Sequence, residues 1–199
     1  GWPIAGKDFV VDACRAALDI RLKFDRAARQ SGDPLANFRC GIGIASGPAV
    51  AGRLGTAGKF KIDVFGPVVN LASRLEGITK QLRVPILVDD ETVRRVKLKE
   101  PSLRFRRLVK LRPYGMEQAV TVSELLPPPG EPAILSDDDV LRYEKALDAF
   151  TAGRWDAAFA ILHEVPHWAQ GADFLTSHIL RHQRQPPTGW DGIVTLESK

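Results

Sequence analysis

The run Lys59 to Glu76, KFKIDVFGPVVNLASRLE, brings an aspartate, an asparagine and an arginine close together as Asp63, Asn70 and Arg74. These types suit a polar, anionic ligand. An ionised carboxylate only accepts hydrogen bonds, an amide both donates and accepts, and a guanidinium offers a fixed fork of donors to oxyanions. A bland account competes with that one. A strand-end Asp and a helix Arg are commonly solvated or ion-paired, and an Asn four residues before an Arg can be a surface pair worth about a few tenths of a kcal/mol.

Two elements must position these residues. From Lys59 to Phe65 the chain alternates, with Phe60, Ile62 and Val64 on one side and Lys59, Lys61, Asp63 and Phe65 on the other, which predicts a half-buried strand with Asp63 directed away from its apolar face. Gly66 and Pro67 break that strand. Pro67 suits a first helical turn, and Val68, Leu71, Ala72, Leu75 and Ile78 then recur at helical spacing, so Asn70 and Arg74 share one helix face.

Two segments carry a family resemblance: FRCGIGIASGPAVAGRLGT, Phe38 to Thr56, and KIDVFGPVVNLASRLEG, Lys61 to Gly77. They resemble the second half of a class III adenylate/guanylate cyclase catalytic domain. In that family a strand bearing an adenine-reading Asp leads into a turn and a helix of the form V-N-x-A-x-R, which falls here on Asp63, Val69, Asn70, Ala72 and Arg74.

The resemblance implies roles that are chemically coherent. Cyclisation drives the ribose 3′-hydroxyl onto the α-phosphate of ATP and expels pyrophosphate, and Arg74 would stabilise the charge that spreads over the α-phosphate oxygens. Asn70 would hold the ribose in line. Asp63 would accept from the exocyclic amine of adenine, where guanine presents a carbonyl, so ATP is the expected substrate.

The family also uses two metal-binding aspartates, one in an early strand and one in a Gly-Asp hairpin, to hold two divalent ions. Neither motif occurs here. The opening GWPIAGKDFVVDACRAALDI resembles the segment on the C-terminal side of that hairpin, so the expectation is an N-terminally incomplete catalytic domain, with Mg or Mn ligands and the purine-reading Lys upstream. Asp8 and Asp12, four apart, read as a solvated helix face near an N-terminus, where acidic groups suit the dipole, and neither they nor Asp19 are expected to replace the missing metal ligands. A second departure lies in Phe105 to Leu126: the positions beside Gly115 are Tyr114 and Met116, neither cationic. Arg112 is taken as the substrate-binding candidate there, with Lys110 nearby, against a reading of both as solvent-facing strand residues.

The glycines Gly41, Gly43, Gly47, Gly52 and Gly55 satisfy neither a dinucleotide fingerprint nor a P-loop, and read as close-approach positions and a hairpin around Arg53 to Gly58. The 199 residues, 44% hydrophobic, suffice for one ordinary domain and a small appendage. A net charge of +4 is attributed to surface runs such as Arg104, Arg106 and Arg107, a mild bias towards anionic ligands without a nucleic-acid signature. Cys14 and Cys40 are expected to be reduced thiols in a cytoplasmic setting. No apolar run reaches the roughly 18 residues of a membrane span, so no membrane contact is expected from this segment, while a parent protein could be anchored upstream.

After Leu126 the composition changes. PPPGEPAILSDDD reads as a linker over 127–135, followed by a helical module over 136–184 capped by Ser136 or Asp137, and a tail over 185–199. Within VLRYEKALDAFTAGRWDAAFAIL the pattern Tyr143, Ala146, Leu147, Phe150, Gly153, Trp155, Ala158 and Leu162 resembles one tetratricopeptide-like helical unit, of the kind that trails bacterial sensor cyclases. One such unit cannot bury its apolar face alone. It must pack on the catalytic part, on another subunit or on a third helix, while Trp190 and GIVTLE tie the tail back. His178 and His182, four apart, read as a surface pair.

The expected fold is α/β: a ferredoxin-like class III nucleotide cyclase domain, N-terminally incomplete over residues 1–126, plus the α-helical module. The resemblance implies an adenylate cyclase making cyclic AMP for signal transduction, working as a homodimer with a composite site. This chain alone would be inactive. The alternative is a catalytically inactive pseudocyclase or regulatory/interaction domain.

Overall fold

The computed structural model describes residues 8–30, 32–56, 58–129 and 135–197. The opening segment before Asp8, the middle of the linker and the last two residues of the tail lie outside it.

The described segment ahead of residue 127 begins with helix α1, Phe9–Ala28, whose face of Val11, Cys14, Ala17 and Leu18 is buried. Strand β1, Ile42–Ile44, comes next, and then a hairpin of β2, Val50–Thr56, and β3, Lys59–Phe65. Helix α2 covers Pro67–Leu82, strand β4 Ile86–Asp89 and helix α3 Asp90–Lys99. The segment closes with the long strands β5, Arg104–Arg112, and β6, Val120–Leu126. Beyond the linker come α4, Asp137–Thr151, α5, Trp155–Leu162, α6, Gly171–Arg181, and the two-residue strand β7, Val194–Thr195.

The five-stranded sheet runs β1-β4-β6-β5-β7 and is mixed: β6 is antiparallel to both β4 and β5, whereas β1 on β4 and β7 on β5 are parallel. The order fits the sequence. Ile86, Leu87 and Val88 are a continuous buried run, as a strand covered on both faces requires, and Asp89 ends it by accepting from Thr92 N at 3.1 Å as the cap of α3. One apolar cluster on α1 and α3 includes Ile86, Val88, Val96 and Leu125. The other runs from Leu75 and Ile78 of α2 through Leu108 and Leu111 of β5 to Tyr143, Phe150, Trp155 and Ile179. That second cluster answers where the helical unit buries its apolar face: α4 packs on β5, α6 on α2, and α5 on α4 and α6, all within this chain.

The helical module is locked by specific polar contacts. Ser136 and Asp139 form a reciprocal capping box at the start of α4, and the Tyr143 hydroxyl donates to Leu108 O at 2.9 Å. Trp190 donates from Nε1 to Phe150 O and Thr151 O, both at 3.2 Å, before β7 pairs with Leu111 and Arg112.

Three expectations differ from what is found. The alternation of β3 does not bury an apolar face: Phe60 is 59% exposed, and Ile62 and Val64 are also exposed, because β2 and β3 pair only with each other among the described residues and stand off the main sheet. Arg106 is not on the surface. It is 1% exposed and donates from Nη2 to Glu124 Oε2 at 2.6 Å, since position 106 lies on the core side of β5 and a carboxylate faces it across the ladder. His178 and His182 do stand side by side, with ring centroids 4.9 Å apart, but His178 is half-buried in a cluster with Phe150, Trp155 and Trp190 rather than at the surface, and burial pushes its pKa down from 6.5 to about 4.

Candidate functional site

The site residues sit around the junction of β3 with α2. Asp63 lies opposite Gly52 in the hairpin ladder, and three residues later the chain turns at Gly66. That glycine has φ +154°, and a Cβ there would come within 3.0 Å of Pro48 O and 3.2 Å of the Ala49 Cα. The turn therefore presses against the strand entering β2, which fixes how the hairpin meets the helix. Pro67 opens α2 as expected.

Helix α2 is itself held from below by β1. A Cβ on Gly43 would collide with Ala72 O and Glu76 N, so only glycine allows strand and helix backbones to approach this closely. Leu75, fully buried, faces the core directly beside Arg74 in sequence. Core contact on one side of α2 thus directs Asn70 and Arg74 to the other, where Asn70 is exposed and Arg74 half-buried.

Arg74 extends towards the β5–β6 connection. A Cβ on Gly115, whose φ is +72°, would stand 3.5 Å from Arg74 Nη2. The guanidinium is therefore beside the Tyr114–Gly115 turn, a neighbour that spacing along the sequence gave no means of finding. Arg112, at the end of β5, is largely committed to structure: Nε donates to Glu117 O at 3.1 Å and Nη1 to Thr195 Oγ1 at 3.1 Å. It braces the same turn and joins it to β7.

Asp63 is not in contact with Asn70 or Arg74 through any hydrogen bond or ion pair among the described residues. Its carboxylate accepts from Lys61 Nζ at 3.0 Å and from Val64 N at 2.9 Å, and the Lys61 hydrogen bond, with the Val64 amide second, holds its pKa below the usual carboxylate range. It is thus ionised and acceptor-only at neutral pH. Lys61 was missed as a site residue, although a two-residue offset on one strand face was the signal that could have found it.

No cluster of three or more His, Cys, Asp or Glu able to hold a metal ion occurs among the described residues. Asp8 sits at the start of α1 with Lys99 Nζ at 3.8 Å, and Asp12 and Asp19 are exposed on that helix. The described residues therefore do not form a two-metal site. The described cysteines are free, Cys14 buried with its thiol pushed up to about 11 by desolvation and Cys40 exposed. No helix among the described residues is long and apolar enough to cross a membrane.

Comparison with known proteins gives a consistent result. A family model described as the adenylate and guanylate cyclase catalytic domain matches residues 1–122. Adenylate cyclase 1 of Rhizobium meliloti (strain 1021) is 34% identical over 127 residues, which is 62% of this chain and 18% of that protein. An adenylate cyclase of Anabaena cylindrica is 36% identical over 104 residues, 51% of this chain and 20% of its own length. The chain thus spans about a fifth of the length of these curated relatives. Among solved structures, a bacterial light-regulated adenylyl cyclase superposes with a TM-score of 0.51 at 24% identity, over 61% of this chain and 34% of that one, a likeness of fold.

Proposed function

The chain belongs to the adenylate and guanylate cyclase catalytic domain family, and from that premise we propose that it supplies the purine-reading and transition-state half of an adenylate cyclase site, converting ATP to cyclic AMP and pyrophosphate. The observation that carries this reading is the placement of Arg74, half-buried on α2 with its guanidinium beside the Gly115 turn, where an anionic α-phosphate would meet a fixed cation.

Within that reading Arg74 stabilises the charge developing on the α-phosphate oxygens, and Asn70, one helical turn earlier, orients the ribose. Asp63, ionised and partly held by Lys61, accepts from the adenine amine. Arg112 binds the triphosphate from the rim of the same turn, with two of its donors already engaged in bracing it. Magnesium or manganese would polarise the phosphates and activate the attacking hydroxyl. The described residues offer it no ligand set. A homodimer with a composite site completes the reading, supported by the apolar side chains that the β2–β3 hairpin leaves exposed. In the same proposal the chain divides at residues 127–135, the helices beyond form a tetratricopeptide-like module that buttresses α2, and the protein acts in the cytoplasm in intracellular signal transduction.

The experiment mixes this chain with a cyclase domain that carries both metal-binding aspartates but lacks its own equivalent of Arg74, and measures cyclic AMP and cyclic GMP from ATP and GTP with Mn. Cyclic AMP from the mixture, and none when this chain carries Arg74→Ala, is the expected result. No cyclic nucleotide from any mixture would favour the second reading, a pseudocyclase or regulatory domain, which the commitment of Arg112 to structural contacts also favours.

A further inference from the structure

A cavity of about 650 Å³ lies at the opposite end of α2 from Asn70 and Arg74, between the last turns of α1, the approach to β1, the ends of β5 and β6, and residues 168–170 ahead of α6. The rise of a helix puts Arg83 on the order of 13 Å along the axis from Arg74, so this space is separate from the proposed catalytic site. Its size is that of a pocket for a small organic molecule, within the range of roughly 300–1,000 Å³.

The charge lining it is unbalanced. Arg21, Arg39, Lys80, Arg83 and Arg106 face two carboxylates, Asp25 and Glu124, with Arg83 also paired outside the lining to Asp173 Oδ2 at 3.3 Å. At the floor, Arg106 and Arg21 share Glu124: Arg106 Nη2 donates to Oε2 at 2.6 Å and Arg21 Nη1 reaches Oε1 at 3.5 Å. Arg106 is 1% exposed, yet its Nε and Nη1 find no acceptor among the described residues, while the buried Nε of Arg21 has only a long ion pair, with Asp25 Oδ2 at 3.5 Å. Its guanidinium lies 4.6 Å from the centre of the Tyr143 ring, which attracts the cation but does not accept those N–H groups. Gly171 makes room for this arrangement, since a Cβ there would sit 2.8 Å from Arg106 Nη2. Buried donors left without partners are costly, and a cation out of water more so. Phe24, Phe38 and Trp168 supply apolar rings around the same space.

We infer that this cavity binds a small organic anion, with its phosphate or carboxylate group against the floor and rim cations and an apolar or aromatic body against the rings. The head group satisfies donors that the protein itself leaves open, and charge-assisted hydrogen bonds of this kind are among the strong ones. The inference goes beyond the cyclase reading and does not depend on it.

Thermal unfolding of the chain with inorganic phosphate, phenyl phosphate or benzoate, each against sodium chloride of matched ionic strength, tests it. The expected result is a saturable rise in the midpoint with phenyl phosphate or benzoate, larger than with inorganic phosphate, the stronger of the two identifying the head group. Because Arg106→Leu endangers folding, the deciding variant is Arg39→Ala with Lys80→Ala, both exposed. It should weaken the apparent affinity about tenfold, the loss expected for a charged hydrogen bond, while Arg74→Ala leaves it unchanged. No saturable rise with any of the probes, or a rise abolished by Arg74→Ala and kept by the double variant, overturns the inference.

Discussion

Arg74 carries the most demanding assignment, and its surroundings say what its loss would do. The half-buried guanidinium lies on the side of α2 away from the core contact made by Leu75, so truncation removes a charge while leaving the buried apolar core intact. Arg74→Ala in an active assembly should lower turnover by on the order of 10²-fold or more while changing ATP affinity less, because the interaction strengthens as charge develops. Equal turnover in steady-state assays would remove the role. Asp63→Ala tests the purine reader separately and should narrow the preference for ATP over GTP, measured as the ratio of kcat/KM values. His178 makes a different prediction. Its pKa in the folded chain, about 4, lies below the ordinary 6.5, with desolvation the main cause and the nearby His182 and Arg181 adding to it. The unfolded chain therefore takes up the proton first as pH falls, so the stability this group contributes is present above about pH 6.5 and is lost towards pH 4. Urea midpoints should fall over that window, and His178→Phe should flatten the slope.

At the scale of elements, two junctions decide whether the site residues meet their targets. The first is β1 against α2. Gly43→Ala would drive a Cβ into Ala72 O, and neither backbone can yield without moving the helix that carries Asn70 and Arg74. A destabilisation of roughly 2 kcal/mol or more is expected from overpacking of this kind, read from chemical unfolding. The second is the β2–β3 hairpin, which leaves Val50, Phe60, Ile62 and Phe65 exposed. If the homodimer reading is right, Phe60→Ser with Ile62→Ser should shift sedimentation of this chain from dimer to monomer and abolish turnover of its mixture with the metal-binding cyclase domain, without lowering the unfolding midpoint of the monomer. The conventional expectation for an alternating strand, one buried face, fails here because burial depends on what the strand packs against.

Across the whole molecule, the helices beyond the linker are continuous with the catalytic part through one apolar cluster, and Arg104 clamps the linker's two ends by donating to Pro127 O, Leu135 O and Asp137. Trp155, 1% exposed and stacked on Phe150 at 5.2 Å, is part of the same core as Leu75. Trp155→Ala should therefore cost about 3–5 kcal/mol, and calorimetry should show a single transition moving as a whole. Two separate transitions would mean that the helical module folds independently of the sheet.

The local elements were legible in the sequence. Alternation over Lys59 to Phe65, the Gly66–Pro67 break and the helical spacing of Val68 to Ile78 each correspond to an element close to its expected bounds, because period and turn chemistry act over a few residues. The family motif lay in the same short range, so the types and spacing of Asp63, Asn70 and Arg74 could be read directly. What depended on distant partners could not. Arg106 looked like one more surface arginine until Glu124, Tyr143 and Gly171 closed over it, and His178 looked exposed until Trp155 and Trp190 reached it from other elements. The exposure of the β3 face and the approach of Arg74 to Gly115 were likewise settled only when strands and helices separated by tens of residues came together. Sequence determined which elements form and which residues could do chemistry, since both arise from local sterics and side-chain type. Tertiary structure alone decided which charges are buried and which turns meet the site, since desolvation and contact are properties of neighbours far along the chain.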